Sequence, residues 1–203
     1  MISEQEKQEE LQSKGHENTE IPGSLDEKKD TLHTAFDYLV FFALVIAVCL
    51  LFIRFVGIRS VVNGSSMNDT LQDGDNVFVW ELGYRFHDPE RFDVIIFELK
   101  DQPGVHYIKR VIGLPGETVQ VIDGYVYING EKLESDVYGK EVMECAYMAE
   151  YPVTLGEDEF FVLGDNRNNS RDSRAYEVGP VNKSQIVGKG LFRFWPIWKL
   201  KGL

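Results

Sequence analysis

The sequence predicts a mainly β protein preceded by one N-terminal transmembrane helix. Three observations carry that expectation. An uninterrupted apolar run lies near the N-terminus, short runs of branched and aromatic residues separated by turn residues follow it, and no long helical periodicity appears after the apolar run. The run Tyr38 to Ile53 is sixteen uncharged residues. That is slightly short of the roughly 20 that cross a bilayer core, but Asp37 and Arg54 stand at its edges, where their charged heads reach the interface. The segment is apolar on every face, whereas a buried core helix would show a polar stripe. A cleaved leader would have a short basic start and a small-residue cut site, and neither is present. We therefore expect a transmembrane helix over residues 35–56.

The stretch before it, residues 1–34, carries nine acids against four lysines and few large apolar side chains. It cannot bury enough surface to offset the entropy of ordering, so it reads as a disordered or loosely helical tail. Lys28 and Lys29 on one side of the span and Arg54 and Arg59 on the other leave the positive-inside comparison tied.

Residues 57–203 read as a β-rich domain. Val77 to Trp80, Phe92 to Phe97 and Phe160 to Leu163 are strand candidates. Thr118 to Asn129 reads as a hairpin turning at Asp123-Gly124, a pair suited to a primed turn, and Asn129-Gly130 marks a second reversal. Leu191 to Lys199 is a last strand or an aromatic surface suited to a membrane interface.

Composition excludes several functions. With 21 basic and 33 acidic residues the net charge is −12, with no basic block, which argues against nucleic-acid binding. Cys49 and Cys145 are far apart and differently surrounded, so neither a disulfide framework nor a cysteine-based metal site is expected. The histidines His16, His33, His87 and His106 form no metal-binding pattern, and no nucleotide-binding glycine motif occurs. No metal and no cofactor is expected.

Two segments carry chemistry. Val61 to Leu71 runs into a Gly-Ser-Ser turn, and Val105 to Gly116 is a strand ending in Pro-Gly. On that strand Tyr107, Lys109 and Val111 share a face. A lysine among apolar neighbours loses hydration, its pKa falls, and it can serve as a neutral base for a serine, whose free hydroxyl is a poor nucleophile. From residue types alone, a serine after glycine is ordinarily a turn residue and a strand lysine ordinarily extends into solvent, and these are the readings the two segments favour.

Four ordered motifs, however, resemble the boxes of bacterial type I signal peptidases. They are Gly64-x-Ser66-Met67-x-x-Thr70-Leu71, Gly74-Asp75-x-Val77, Tyr107-Ile108-Lys109-Arg110-Val111-x-Gly113-x-Pro115-Gly116, and Gly164-Asp165-Asn166-Arg167-Asn168-Asn169-Ser170-Arg171-Asp172-Ser173-Arg174. The resemblance covers about residues 35 to 198. It implies a coiled antiparallel β-sheet catalytic domain of the signal peptidase and LexA-like type. It also implies removal of signal peptides from exported preproteins after Ala-x-Ala-type sites, by a protein anchored in the cell membrane with the tail cytoplasmic and the β domain outside. Ser66 would be the nucleophile and Lys109 its base. Ser170 would aim that base, and Asp172 and Arg174 would form a charged pair shaping the site. Val62, Met67, Leu71, Tyr107 and Ile108 would line pockets for small side chains, with ordinary core packing as the other reading. Two departures from the family stand out. Gly64 lacks the hydroxyl that some members use to stabilise the oxyanion, and Asp69 stands where proline is usual. Rival readings are a LexA-like self-cleaving protein and an inactive anchored β-domain that binds ligands. The oligomeric state is left open.

Overall fold

The computed structural model describes residues 25–203. The expected tail falls outside the described residues up to position 24. From Leu25 the chain is already helical, and helix α1 spans Leu25–Val56. Within it, His33–Leu51 is long and apolar enough to cross a membrane. At about 1.5 Å per residue its 19 residues extend about 28 Å, close to the roughly 30 Å of a hydrocarbon core. Its side chains are exposed, as a face-free apolar helix without a protein partner must be.

The remainder is mainly β and antiparallel throughout. Twelve strands follow the helix among the described residues: β1 (Gly57–Val61), β2 (Asn76–Trp80), β3 (Val94–Glu98), β4 (His106–Gly113), β5 (Thr118–Ile122), β6 (Tyr125–Ile128), β7 (Glu131–Lys132), β8 (Val153–Thr154), β9 (Glu159–Leu163), β10 (Val181–Asn182), β11 (Ile186–Trp195) and β12 (Lys201–Gly202). The larger sheet has the order β1-β2-β11-β3-β4-β9-β10, with β12 on β11; the smaller has the order β7-β6-β5-β8. Strand β11 shifts register against β2 and β3 at several points, and such bulges add twist and coil to a sheet.

Local sequence accounts for most of these elements. Strand β3 reads Val-Ile-Ile-Phe without alternation because both of its faces are covered. Ile95 and Phe97 join one apolar cluster with Val111, Phe160 and Val162, while Val94 and Ile96 join another with Val62, Val77 and Val79. Strand β3 starts at Val94 rather than at Phe92, because Phe92 takes a positive φ of 73° that no strand residue holds. The β5–β6 hairpin turns at Asp123 and Gly124 with φ of 51° and 79°, as a primed turn requires. At the C-terminal end the expected strand is present, beginning earlier than expected, over Ile186–Trp195. Strand β11 runs through Trp195, and Trp195, Ile197 and Trp198 are exposed beside it.

Candidate active site

Strand β4 delivers two consecutive charged side chains to opposite faces, as strand geometry dictates. Lys109 lies opposite Ile95 of β3, which is fully buried, and its own side chain is only 3% exposed. Its Nζ lies 2.8 Å from Ser66 Oγ and donates to the Ile108 carbonyl at 2.8 Å. It also sits 5.1 Å from the Tyr107 ring centre, in keeping with the shared face expected of these two residues. Burial lowers the lysine pKa from its ordinary 10.5 to about 8, against the opposing pull of the Asp172 and Asp165 carboxylates. One pH unit below that value, at pH 7, about a tenth of the amine is neutral.

Arg110, next along the strand, turns the other way and is buried against Asp165. Its Nε donates to Oδ1 at 2.8 Å and its Nη2 to Oδ2 at 2.7 Å, while Tyr138 covers the guanidinium at 3.5 Å. Thr70 Oγ1 donates to the same carboxylate at 2.5 Å. The bidentate pair thus ties together β4, the loop after β9 and the turn that follows Ser66.

The Ser66 turn is held from both sides. The Asn166 N–H donates to the Ser66 carbonyl at 3.0 Å, the Asn166 side chain to the Ser65 carbonyl at 3.1 Å, and the Asn169 side chain to Ser65 Oγ at 2.9 Å. Met67 and Leu71 are not among the residues that line the cleft beside Ser66. Both are 0% exposed and pack with Val62 and Val77, so they anchor the turn in the core. Val62, Tyr107 and Ile108 do line an open cleft of about 630 Å³ that also includes Ser66 and Lys109. The amphipathic pattern around Ser66 could not separate cleft-facing from core-facing apolar residues, because the segment outside β1 follows no strand period.

Two glycines have distinct reasons. Gly64 holds φ at +92°, a left-handed conformation, and its N–H donates to Asp73 Oδ1 at 2.7 Å. Gly164 admits close approach: a Cβ there would fall 2.4 Å from the Ser66 carbonyl and 2.2 Å from Ser170 Oγ. The expected hydrogen bond from Ser170 to the base is not made. Ser170 Oγ is buried and has no hydrogen-bond partner, and the contacts of the amine go to Ser66 and Ile108 instead. Asp172 and Arg174 do form a buried pair, with Arg174 Nε donating at 2.9 Å. Asp172 Oδ2 also accepts from the Gly164 N–H at 3.1 Å, and Arg174 Nη2 donates to the Arg167 carbonyl at 2.6 Å, so the pair braces the loop from 164 to 174. Asp69 has φ of +79°, which proline, fixed near −65°, cannot adopt. The departure noted in the sequence therefore changes the backbone path of this turn as well as its stiffness.

Sequence reasoning assigned no role to Asn166, Asn169, Thr70 or Asp165. All four sit inside the quoted motifs, and a polar side chain within a dense motif is the signal that could have singled them out. Arg193, which donates to Asp75 Oδ2 at 2.8 Å and to the Thr70 carbonyl at 3.2 Å, carries no such signal.

The fold and the cleft together define a class, the mainly β serine hydrolases. Comparison with known proteins narrows it. The family described as signal peptidase, peptidase S26, matches residues 35–195. Signal peptidase I of Bacillus licheniformis is 33% identical over 180 residues, 86% of this chain and 94% of that protein. Signal peptidase I of Leptolyngbya laminosa is 42% identical over 72% of each chain. A probable signal peptidase I-2 of Synechocystis is 40% identical over 70% of this chain and 65% of that protein. The chain belongs to the signal peptidase family, peptidase S26, and is an endopeptidase of the serine type.

Proposed function

We propose that the chain removes signal peptides from exported preproteins after small residues, with Ser66 as nucleophile and Lys109 as base. The observation that carries this reading is the 2.8 Å approach of a buried amine to the Ser66 hydroxyl inside an open cleft. Neutral Nζ takes the Oγ proton as Oγ bonds to the carbonyl carbon, and the carbonyl oxygen becomes an oxyanion. The Ser66 N–H has no partner among the described residues and is available to that oxyanion, whereas the Gly64 N–H is already spent on Asp73. Collapse breaks the C–N bond, and the ammonium gives its proton to the departing amine. Water then attacks the ester, the amine again accepts the proton and returns it to Oγ, and the signal peptide leaves as a carboxylate. Histidine is not needed, because the base is an amine whose pKa burial has lowered to about 8.

The substrate binds extended in the cleft, with Val62, Tyr107 and Ile108 restricting it to small side chains before the cleaved bond. Helix α1 acts as a single transmembrane anchor, with the segment before it in the cytoplasm and residues 57–203 outside. The test uses the full chain in detergent with a preprotein bearing an Ala-x-Ala site. Wild type should cleave, and Ser66→Ala and Lys109→Met should not. Failure of wild type to cleave, or retained cleavage by either variant, rejects the assignment. Protease accessibility of residues 57–203 in intact cells stripped of their wall checks the orientation.

A further inference from the structure

The cleft is charged against the trend of the chain. The protein has a net charge of −12 and 33 acidic residues, yet no carboxylate lines the cleft among the described residues, whereas Arg171 and His106 do, beside Lys109. Of these residues, Arg171 carries a permanent charge. It follows Ser170, which packs against Gly164 at the Ser66 carbonyl, and it lies two positions after Asn169, which grips Ser65. Asp172 beside it points inward and is saturated by Arg174 and the Gly164 N–H, so it does not neutralise the guanidinium from below. Among the described residues Arg171 pairs with Glu177 at 3.3 Å, between side chains that are 53% and 65% exposed. Such a pair has little net worth in water and is readily exchanged for another carboxylate.

We infer that Arg171 is a specificity-determining residue that binds a substrate carboxylate next to the cleaved bond, so that acidic residues at the free position before it or at the first positions after it are favoured over basic ones. This rests on the cleavage proposed above. The two small positions of an Ala-x-Ala site hold no charge, so a charged side chain that meets the guanidinium comes from the free middle position or from the first residues of the mature protein. The chemistry is a charge-assisted hydrogen bond formed as the exposed Glu177 contact is released.

The test is a set of peptides sharing one Ala-x-Ala site, with Glu, Gln or Lys at x or at the first or second residue after the bond. At low salt, wild type should show kcat/KM for Glu over Lys of about three- to tenfold at one of these residues, shrinking at high salt. Arg171→Lys should keep the preference, Arg171→Gln should lose it and Arg171→Glu should reverse it. An absent preference in wild type, or the same ratio in Arg171→Gln, overturns the inference. The Gln peptide separates the two levels. If wild type cleaves it, with cleavage abolished in Ser66→Ala, and the ratio does not move with Arg171, only the specificity role falls; if it is not cleaved at all, the cleavage reading falls too.

Discussion

Replacing Lys109 by methionine should abolish cleavage and at the same time make the protein more stable. Burial holds the amine at a pKa of about 8 in the folded chain, whereas in the unfolded chain it returns to its ordinary 10.5. Below pH 8 both states are protonated, and the folded state carries the full cost of a desolvated ammonium. At about 1.36 kcal/mol per pH unit this comes to about 3 kcal/mol at pH 7. The sign follows from proton counts: between the two pKa values the unfolded chain binds more protons, so wild-type stability rises with pH and the cost fades as pH passes through 10.5. Methionine has a similar length and no charge, so Lys109→Met removes most of that cost. It loses in exchange the hydrogen bonds to Ser66 and Ile108. For a domain of this size, about 3 kcal/mol corresponds to roughly 6–12 °C in Tm as an upper bound, less the lost bonds. Thermal unfolding of the full chain in detergent, followed by tryptophan fluorescence from pH 6 to pH 10, measures this. A variant less stable than wild type at pH 7, or a gain that does not shrink as pH rises, would refute the idea that the base is held in a dry niche.

The same amine sets the activity profile. Since only neutral Nζ accepts a proton, log kcat/KM should climb with a slope near one below pH 8 and level off above it; initial rates on a peptide substrate from pH 5 to pH 10 show whether the limb exists. Ser65→Ala, which loses one bond from Asn169 but leaves the Asn166 contacts to the backbone intact, should retain most activity, in contrast to Ser66→Ala. Asp165→Ala strands the buried Arg110 guanidinium and should cost about 3–5 kcal/mol, seen as a large fall in Tm. Asp69→Pro demands a φ the turn does not have and should destabilise by more than about 1 kcal/mol, whereas Asp69→Gly should not; the two melting curves decide it.

Some of the site could be read in advance because its physics is local. Alternation along a strand sends Lys109 and Arg110 to opposite faces wherever the strand lies in the sheet. A positive-φ turn wants Asp-Gly at 123–124, and a run apolar on all faces wants a non-aqueous surrounding. The pairing of Ser66 with Lys109, 43 positions apart, came from motif resemblance, since no periodicity links residues at that separation. Other expectations met the three-dimensional arrangement and changed. Met67 and Leu71 pack in the same core cluster as Val62, but Val62 also borders the cleft and they do not. Ser170 lies beside Gly164 without reaching a partner, a placement set by how the loop from 164 to 174 packs on the Ser66 turn.

From the order of residues come the apolar helix, the mainly β body, the turn positions and the two side chains whose chemistry is complementary, since each follows from a residue and its near neighbours. Packing alone sets how dry Lys109 is, which carboxylates face it, how the asparagines grip the Ser66 turn and which cation borders the cleft. Those quantities depend on distances between segments far apart along the chain, and solvent exclusion arises only when those segments pack together.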